Sequence, residues 1–329
     1  MKRFKHILCV VEPGEASKAA LARAVTLAEN NQAKLSVVGV IERITAGIGL
    51  PDGGPISTEL QNAMAQDYEE QLQPLLEAYR GRIPIQVQIL KGVPFLEVIR
   101  EVLRNGHDLV IKAPQTQDWM ERLFGSDDMH LLRKCPCPVW LVKAEAPKAY
   151  RCILAAIDIG DGYPAIEVKT RQALSMKILE MSASLAVSEF SELHVVHAWD
   201  AAGESVMRGA FIRTPELQVM SYVEQVRRKH AHVVDTLLLE LRGKLGAEAM
   251  DYLKPKVHLV KGLPRREIPI LAGQLKADLV VMGTVARTGV PGFIMGNTAE
   301  TILNQLECSV LAVKPPGFVT PVIDMEARN

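Results

Sequence analysis

Short, continuous apolar runs alternate along this chain with longer segments in which apolar residues recur every three or four positions. The runs include residues 7–11, 109–111 and 279–282. Within residues 17–30, the apolar side chains of Leu21, Ala24, Val25 and Ala28 share one helical face. Apolar runs without polar alternation indicate strands that are covered on both faces, as in parallel sheets. The pattern therefore predicts strands alternating with amphipathic helices in an open, doubly wound α/β sheet.

The pattern occurs twice, with the same landmarks in the same order. Residues 4–12, 35–40, 90–94, 108–111 and 138–143 match residues 150–158, 193–198, 260–264, 278–281 and 309–314. The third pair contains Lys-Gly-x-Pro in both copies, which places Pro94 and Pro264 at the first position of a helix. A duplicated domain of about 145 to 165 residues explains these matches. We predict two tandem domains, residues 1–146 and 147–316, followed by a tail at residues 317–329.

Charge and cysteine content narrow the class of protein. The 329 residues include 38 Lys and Arg against 38 Asp and Glu, so no overall field attracts nucleic acid or an anionic membrane. No apolar run approaches the length of a membrane span, and the apolar stretch near the N-terminus is too short for an export signal. The five cysteines are an odd number and are scattered, as expected in a reducing compartment. We therefore expect a cytoplasmic protein without nucleic-acid or membrane partners.

The most informative segment follows the strand at residues 279–282. It begins at Gly283 and reaches a helix near Gly296, so a glycine-rich loop joins a strand to a helix. Asn297 and Glu300 have the spacing of a capping box. The unpaired N–H groups at the start of such a helix suit an anion, which makes the segment a candidate phosphate cradle. Because ligands of doubly wound sheets bind beyond the carboxyl ends of the strands, we expect Asp158 and Gly283 to lie close together.

These residues resemble the universal stress protein family. The resemblance rests on Asp158 after the first strand, Lys-Gly-x-Pro at residues 261–264, Ala-Asp-Leu-Val at residues 277–280, and Gly283 and Gly296. It covers nearly the whole chain as two tandem copies. Residues 132–142 and 283–289 particularly resemble the E-type tandem members of enterobacteria.

The resemblance implies Rossmann-like, adenine-nucleotide alpha-hydrolase-like domains that take ATP or AMP, with Mg²⁺ accompanying ATP. In the family, the positions of Asp158 and Ala198 hold adenine and ribose. Family members also pair their last strands across a dimer axis. For a tandem chain, this implies an intramolecular pseudo-dimer through residues 139–142 and 310–312, with a homodimer of whole chains left open.

The second half departs from the family's ATP-binding pattern at two places. That pattern is Gly, two residues, Gly, nine residues, Gly, and then Ser or Thr. Here alanine replaces the second glycine and asparagine replaces the hydroxyl residue, although Thr298 follows and Arg287 is long enough to reach a phosphate. The predicted nucleotide-binding residues are Asp158, Ala198, Gly283, Ala286, Arg287, Gly296, Asn297 and Thr298. The alternative is an inherited loop that only connects a strand to a helix.

The first half is predicted to have lost the site. Residues 112–128 keep only the last glycine of the pattern, at Gly125. Asp127 and Asp128 fall in the first turn of the following helix, where their charge would repel a triphosphate. Glu12 stands where the resemblance leads us to expect the aspartate that contacts an adenosine. We expect this half to serve as a scaffold.

Other candidate sites are weaker. Cys135 and Cys137 have no second cysteine pair, so we expect buried thiols rather than a zinc site. His194 and His197 would point to opposite faces of a strand, and His230 and His232 would not share a helical face. Residues 160–165 fit Gly-x-Gly-x-x-Ala, but Pro164 interrupts the turn, which disfavours a dehydrogenase. The interval between the first two strands is 12 residues longer in the second half, which we interpret as an inserted surface segment.

Two functions remain open from the sequence. The first is a nucleotide-responsive stress protein that binds ATP or AMP in its second half and signals without evident catalysis. The second is a carrier or scaffold for another small ligand, for which residues 42–57 and 201–215 are long enough to cover the strand ends. No nucleophile or general base is placed by the sequence, so an enzyme is the least favoured reading and would show at most weak ATP hydrolysis.

Overall fold

The computed structural model describes residues 4–44, 54–115, 126–160, 164–209, 214–284 and 295–323. The strands are β1 His6–Val10, β2 Lys34–Ile41, β3 Ile85–Lys91, β4 Leu109–Lys112, β5 Val139–Leu141, β6 Cys152–Ala156, β7 Glu192–Trp199, β8 Lys256–Lys261, β9 Leu279–Gly283 and β10 Ser309–Val313. The helices are α1 Ala16–Asn31, α2 Pro55–Glu77, α3 Pro94–Asn105, α4 Asp127–Lys134, α5 Ala165–Glu189, α6 Glu204–Arg208, α7 Glu216–Leu245, α8 Ala247–Leu253, α9 Pro264–Leu275 and α10 Asn297–Leu303.

The ten strands form one sheet in the order β3-β2-β1-β4-β5-β10-β9-β6-β7-β8. Pairing is parallel within each half, and the order 3-2-1-4-5 of the first half is repeated in the second. In the middle of the sheet β5 and β10 pair antiparallel, with Trp140 opposite Leu311. The predicted fold class and the predicted pairing of the two last strands are both confirmed.

Helices cover both faces of the sheet, as the unbroken apolar strands require. Along β1, Ile7 and Cys9 face one helical layer, and Leu8 and Val10 face the other. The first layer contains α1, α2, α5, α7 and α8. The second contains α3, α4, α9 and α10. The four α1 residues predicted to share a face are buried, and Pro94 and Pro264 begin their helices as predicted.

The two halves are also joined by a buried ion pair. The guanidinium of Arg23, on α1, donates to the carboxylate of Glu189 at the end of α5. It also donates to the carbonyls of Pro147 and Lys148, each at 3.1 Å, and its Cζ lies 3.9 Å from the centre of the Tyr150 ring. These contacts attach the connecting segment to both domains.

Candidate functional site

A cavity of about 600 Å³ opens at the carboxyl ends of β6, β7 and β9. Five of the predicted nucleotide-binding residues line it: Asp158, Ala198, Gly283, Gly296 and Thr298. Asn297 is the first residue of α10 and is not among the lining residues. Ala286 and Arg287 lie outside the described residues. The expectation that Asp158 and Gly283 come together is confirmed, because β6 and β9 are neighbours in the sheet.

The backbone at Gly283 passes very close to α5. A β-carbon added there would lie 2.6 Å from Cδ2 of Leu174, well inside van der Waals contact. Glycine thus lets the end of β9 pack against this helix while the residue still lines the cavity.

The predicted capping box at the start of α10 is wrong. The N-cap residue is Gly296, which has φ −68° and ψ 138° and has no side chain to cap the helix. Asn297 is already helical, and its carbonyl accepts a hydrogen bond from the Thr301 hydroxyl at 2.7 Å. The Glu300 carboxylate turns away to bind Arg133 of the first half. A tertiary ion pair has therefore replaced the local cap that the spacing indicated.

Asp158 is held at the cavity by two neighbours, Ser175 and Arg171. Its backbone N–H donates to Oγ of Ser175 at 3.2 Å, and that hydroxyl donates back to the Asp158 carbonyl at 3.0 Å. Its carboxylate accepts from the guanidinium of Arg171. Ser17 makes the matching contact to Glu12 N in the first half at 3.0 Å, so the two first-strand ends are built alike.

Arg171 lies on a part of the molecule that the sequence analysis treated as an inserted surface segment. Ser175 is the structural counterpart of Ser17, and α5 extends ten residues before Ser175, whereas α1 begins one residue before Ser17. The described part of the insertion therefore lengthens a helix over the cavity, and residues 161–163 are outside the described ranges. The helical spacing of charged residues within 167–171 is the sequence signal that could have predicted this extension of α5.

Two histidines form part of the cavity wall. Nε2 of His197, on β7, lies 2.9 Å from Nδ1 of His230, on α7, and Nδ1 of His197 lies 3.3 Å from the Ile157 carbonyl oxygen. Burial and the neighbouring His230 lower the pKa of His197, although the carbonyl of Ile157 and the Asp158 carboxylate oppose this. The wall at His197 therefore favours the neutral form of the imidazole. Sequence analysis placed both residues but did not pair them.

Apolar side chains make up much of the remaining wall. Those lining the cavity are Leu174, Ile178, Ile268, Met282 and Ile302. Trp199 also lines it, and its buried indole Nε1 has no hydrogen-bond partner among the described residues. A small ligand that is partly apolar and partly polar suits a wall of this composition.

The equivalent cavity of the first half is smaller, about 360 Å³. Gly39 stands where the second half has His197, and a β-carbon there would overlap the ring of Tyr68. Tyr68 fills this space from α2 and donates to the Val11 carbonyl at 3.2 Å. The ring of Tyr68 thus occupies part of the space that is open in the second half.

Lys112 and Asp128 fill the start of α4 in the first half. Their buried side chains form an ion pair of 2.5 Å, and the other oxygen of Asp128 accepts from Gln115 N at 2.8 Å. Both predicted aspartates lie in the first turn, and Ser126 caps the helix by accepting from Met129 N. Asp128 does not act as a bare repelling charge as we predicted, because Lys112 neutralises it. Protein groups nevertheless occupy the start of α4.

The two cysteines that the sequence predicts to be buried thiols are buried. Their sulfur atoms lie 3.5 Å apart, and the hydrogen bond with the Cys135 thiol, together with burial, raises the pKa of Cys137. Among the described residues, no group of three or more His, Cys, Asp or Glu side chains is arranged to hold a metal ion. No described helix is long and apolar enough to cross a membrane.

The strand order, the duplication and the position of the cavity define a tandem Rossmann-like α/β protein. The sequence profile of the universal stress protein family matches residues 3–143 and 165–314, and the chain belongs to this family. It is 31% identical to universal stress protein E of Escherichia coli (strain K12), over 98% of both chains. It is 30% identical to the universal stress protein E homolog of Haemophilus influenzae, over 95% of this chain and 98% of the relative. The predicted E-type tandem organisation is confirmed.

Solved structures agree with this assignment. A protein of Pseudomonas aeruginosa UCBPP-PA14 assigned to the universal stress proteins superposes with a TM-score of 0.65 and 26% identity, covering 95% of this chain and 94% of that chain. A universal stress protein from Archaeoglobus fulgidus superposes with a TM-score of 0.62 over 94% of this chain and 98% of its own, at 18% identity. The latter supports the fold alone.

Proposed function

We propose that this chain is a cytoplasmic, nucleotide-responsive stress protein that binds ATP or AMP in the cavity of its second half. The observation that supports the proposal best is the meeting of Asp158, Ala198, Gly283 and Gly296 around one cavity of about 600 Å³. These positions come from three strand ends and the start of a helix, and they belong to the pattern that resembles the family's nucleotide site. The reduced first cavity supports one site per chain.

The two parts of the nucleotide lie on different sides of the cavity. Adenine and ribose lie against Asp158, Ala198 and the apolar wall, and the phosphates lie toward Gly283, Gly296 and Thr298. Mg²⁺ accompanies ATP, held mainly by the phosphates. The chain responds to the ligand without evident turnover, so phosphate release from ATP is at most weak.

Nucleotide carried through purification tests this proposal. Freshly purified protein, denatured and analysed by liquid chromatography, is expected to release adenine nucleotide. Gly296→Val should abolish the signal, because its β-branched side chain would enter the cavity wall, while its φ of −68° is accessible to valine. Gly243→Val is the matched control, since Gly243 lies on α7 with open space around it.

Three results would contradict the proposal. The first is wild-type protein that neither carries adenine nucleotide nor binds added ATP or AMP. The second is an unchanged nucleotide content in Gly296→Val that still unfolds cooperatively in urea. The third is an equal loss in Gly243→Val.

The apolar wall supports a second candidate, a carrier for another small ligand. Leu174, Ile268 and Ile302 contribute apolar surface that a nucleotide's phosphates would not use. Solvent extraction of the same protein preparation distinguishes the two. A stoichiometric apolar compound with no adenine nucleotide would favour the carrier.

A further inference from the structure

The last turn of α4, in the first half, contacts the ligand-binding wall of the second half. Nε of Arg133 donates to Oε1 of Glu300 at 3.0 Å, and its Nη2 donates to the same oxygen. The Glu300 side chain is only 11% exposed, and Arg133 is 26% exposed. Glu300 lies in α10, the helix that begins after Gly296 and whose Thr298 lines the cavity.

The same turn of α4 holds a second part of that wall through Lys314. This buried lysine follows β10, and its Nζ donates to the carbonyl oxygens of Leu132 and Arg133, the latter at 3.3 Å. It also donates to Oγ1 of Thr284 at 2.6 Å, and that hydroxyl lies 3.4 Å from the Leu132 oxygen. Thr284 is fully buried and directly follows Gly283, which lines the cavity.

These two contacts hold the cavity wall at two places. One lies at the end of β9, through Thr284, and the other lies in the first turn of α10, through Glu300. Both converge on a single helical turn of the other half. The Arg133–Glu300 contact is charge-assisted, and such hydrogen bonds are among the stronger polar contacts in proteins.

The pseudo-twofold symmetry of the molecule does not repeat these contacts in the opposite direction. In the repeat, Asn304 replaces Arg133 and Met129 replaces Glu300, so no ion pair is chemically available. Pro114 replaces Thr284 and has no hydroxyl to accept from the matching Lys143. The Arg133–Glu300 and Lys314–Thr284 pairs that support the wall of the second half therefore have no chemical equivalent in the opposite direction.

We propose that Arg133 and Lys314 are positioning residues for the ligand site of the second half, and that the first half acts as its fixed support. This inference rests on the proposed nucleotide binding for its functional consequence. Its structural part, the ordering of α10 and the end of β9 by α4, is separately measurable. It also gives a reason for keeping a first half whose own cavity has been reduced.

A charge exchange tests the Arg133 contact. Arg133→Glu and Glu300→Arg, made singly, should each weaken ATP binding roughly fivefold or more, measured by titration calorimetry. The double variant should recover most of the affinity, because the pair is re-formed with reversed charge. The same exchange at Arg242 and Asp251, an exposed ion pair remote from the cavity, is the control and should leave ATP affinity unchanged.

A second measurement does not depend on the ligand. Amide hydrogen exchange in α10 should be faster in each single Arg133 or Glu300 variant and should return to the wild-type rate in the double variant. Exchange in β6 and β7 should remain close to wild type, and any decrease in the urea midpoint should also be recovered in the double variant. Thr284→Val should accelerate exchange at the end of β9 in the same way, and it avoids the folding risk of replacing buried Lys314.

The outcomes separate the two proposals. If wild-type protein does not bind ATP or AMP but the exchange pattern appears, the nucleotide function is wrong and the supporting role stands. If wild type binds ATP and the single variants change neither affinity nor α10 exchange, the supporting role is overturned. A loss that the double variant fails to recover also overturns it.

Discussion

At the scale of single residues, the main feature of the cavity wall is the pairing of Asp158 with Arg171. The carboxylate is 51% exposed and accepts from the Arg171 guanidinium, so a side chain of the protein itself engages it. Its Oδ1 also lies 3.5 Å from Gly160 N. An adenosine that needs the Asp158 carboxylate must compete with this arginine.

Arg171→Ala should therefore strengthen AMP binding. A partly exposed ion pair contributes modestly, so we expect about a twofold to fivefold lower Kd. Fluorescence or calorimetric titration with AMP measures the change, and Arg227→Ala, an exposed arginine on α7, serves as the control. A higher Kd for Arg171→Ala would show that the guanidinium contacts the ligand itself.

At the scale of elements, the outer pair of strands in the second half carries a histidine contact. Nδ1 of His194, on β7, lies 2.9 Å from Nε2 of His258, on β8, and the rings stack with centroids 5.1 Å apart. Burial, the neighbouring His194 and Lys256 all lower the pKa of His258 from 6.5. Protonation of His258 therefore opposes folding of this edge.

The stability of the protein should fall as the pH drops through and below 6.5. In that window the unfolded chain binds more protons than the folded one, because the folded pKa of His258 is the lower of the two. His258→Gln should flatten the decrease between pH 7.5 and 5, measured as urea midpoints. The exposed His232→Gln is the control. A decrease of equal size in wild type and His258→Gln would contradict this account.

At the scale of the whole molecule, the halves are joined through the middle of one sheet and through buried side chains beside it. Arg23 is 5% exposed and Glu189 is 11% exposed, and they come from different halves. Trp140, which pairs across the central strands, packs beside Tyr150 with ring centroids 6.0 Å apart. Unfolding of one half would expose both features.

Arg23→Met should destabilise the whole chain strongly. Removing one partner of a buried ion pair leaves the other charge uncompensated, at a cost of about 3–5 kcal/mol. Urea unfolding at pH 7 measures this, with Arg82→Met as the control, because the Arg82–Glu29 pair is largely exposed. Adding Glu189→Leu to Arg23→Met should recover part of the loss. Equal destabilisation by Arg23→Met and Arg82→Met would contradict the assignment of Arg23 and Glu189 as a buried ion pair.

The fold could be predicted from the sequence because the repeat and the unbroken apolar strands are visible as local patterns. It also placed Asp158 near Gly283, since that proximity follows from parallel strand order alone. It missed Arg171, because the inserted residues extend α5 instead of forming a surface segment. It also missed the packing of Tyr68 against Gly39, because these two residues lie on different elements, α2 and β2. The capping box failed for a related reason. The partner of Glu300 is Arg133, 167 residues away, and no local pattern indicates so distant a competitor.

The antiparallel pairing of β5 with β10 has a consequence for how the molecule is assembled in a cell. Two separate chains that joined in this way would do so only above a threshold concentration. Covalent linkage makes the encounter intramolecular, so dilution does not separate the partners. A cell that makes very few copies obtains the same joined sheet as a cell that makes many.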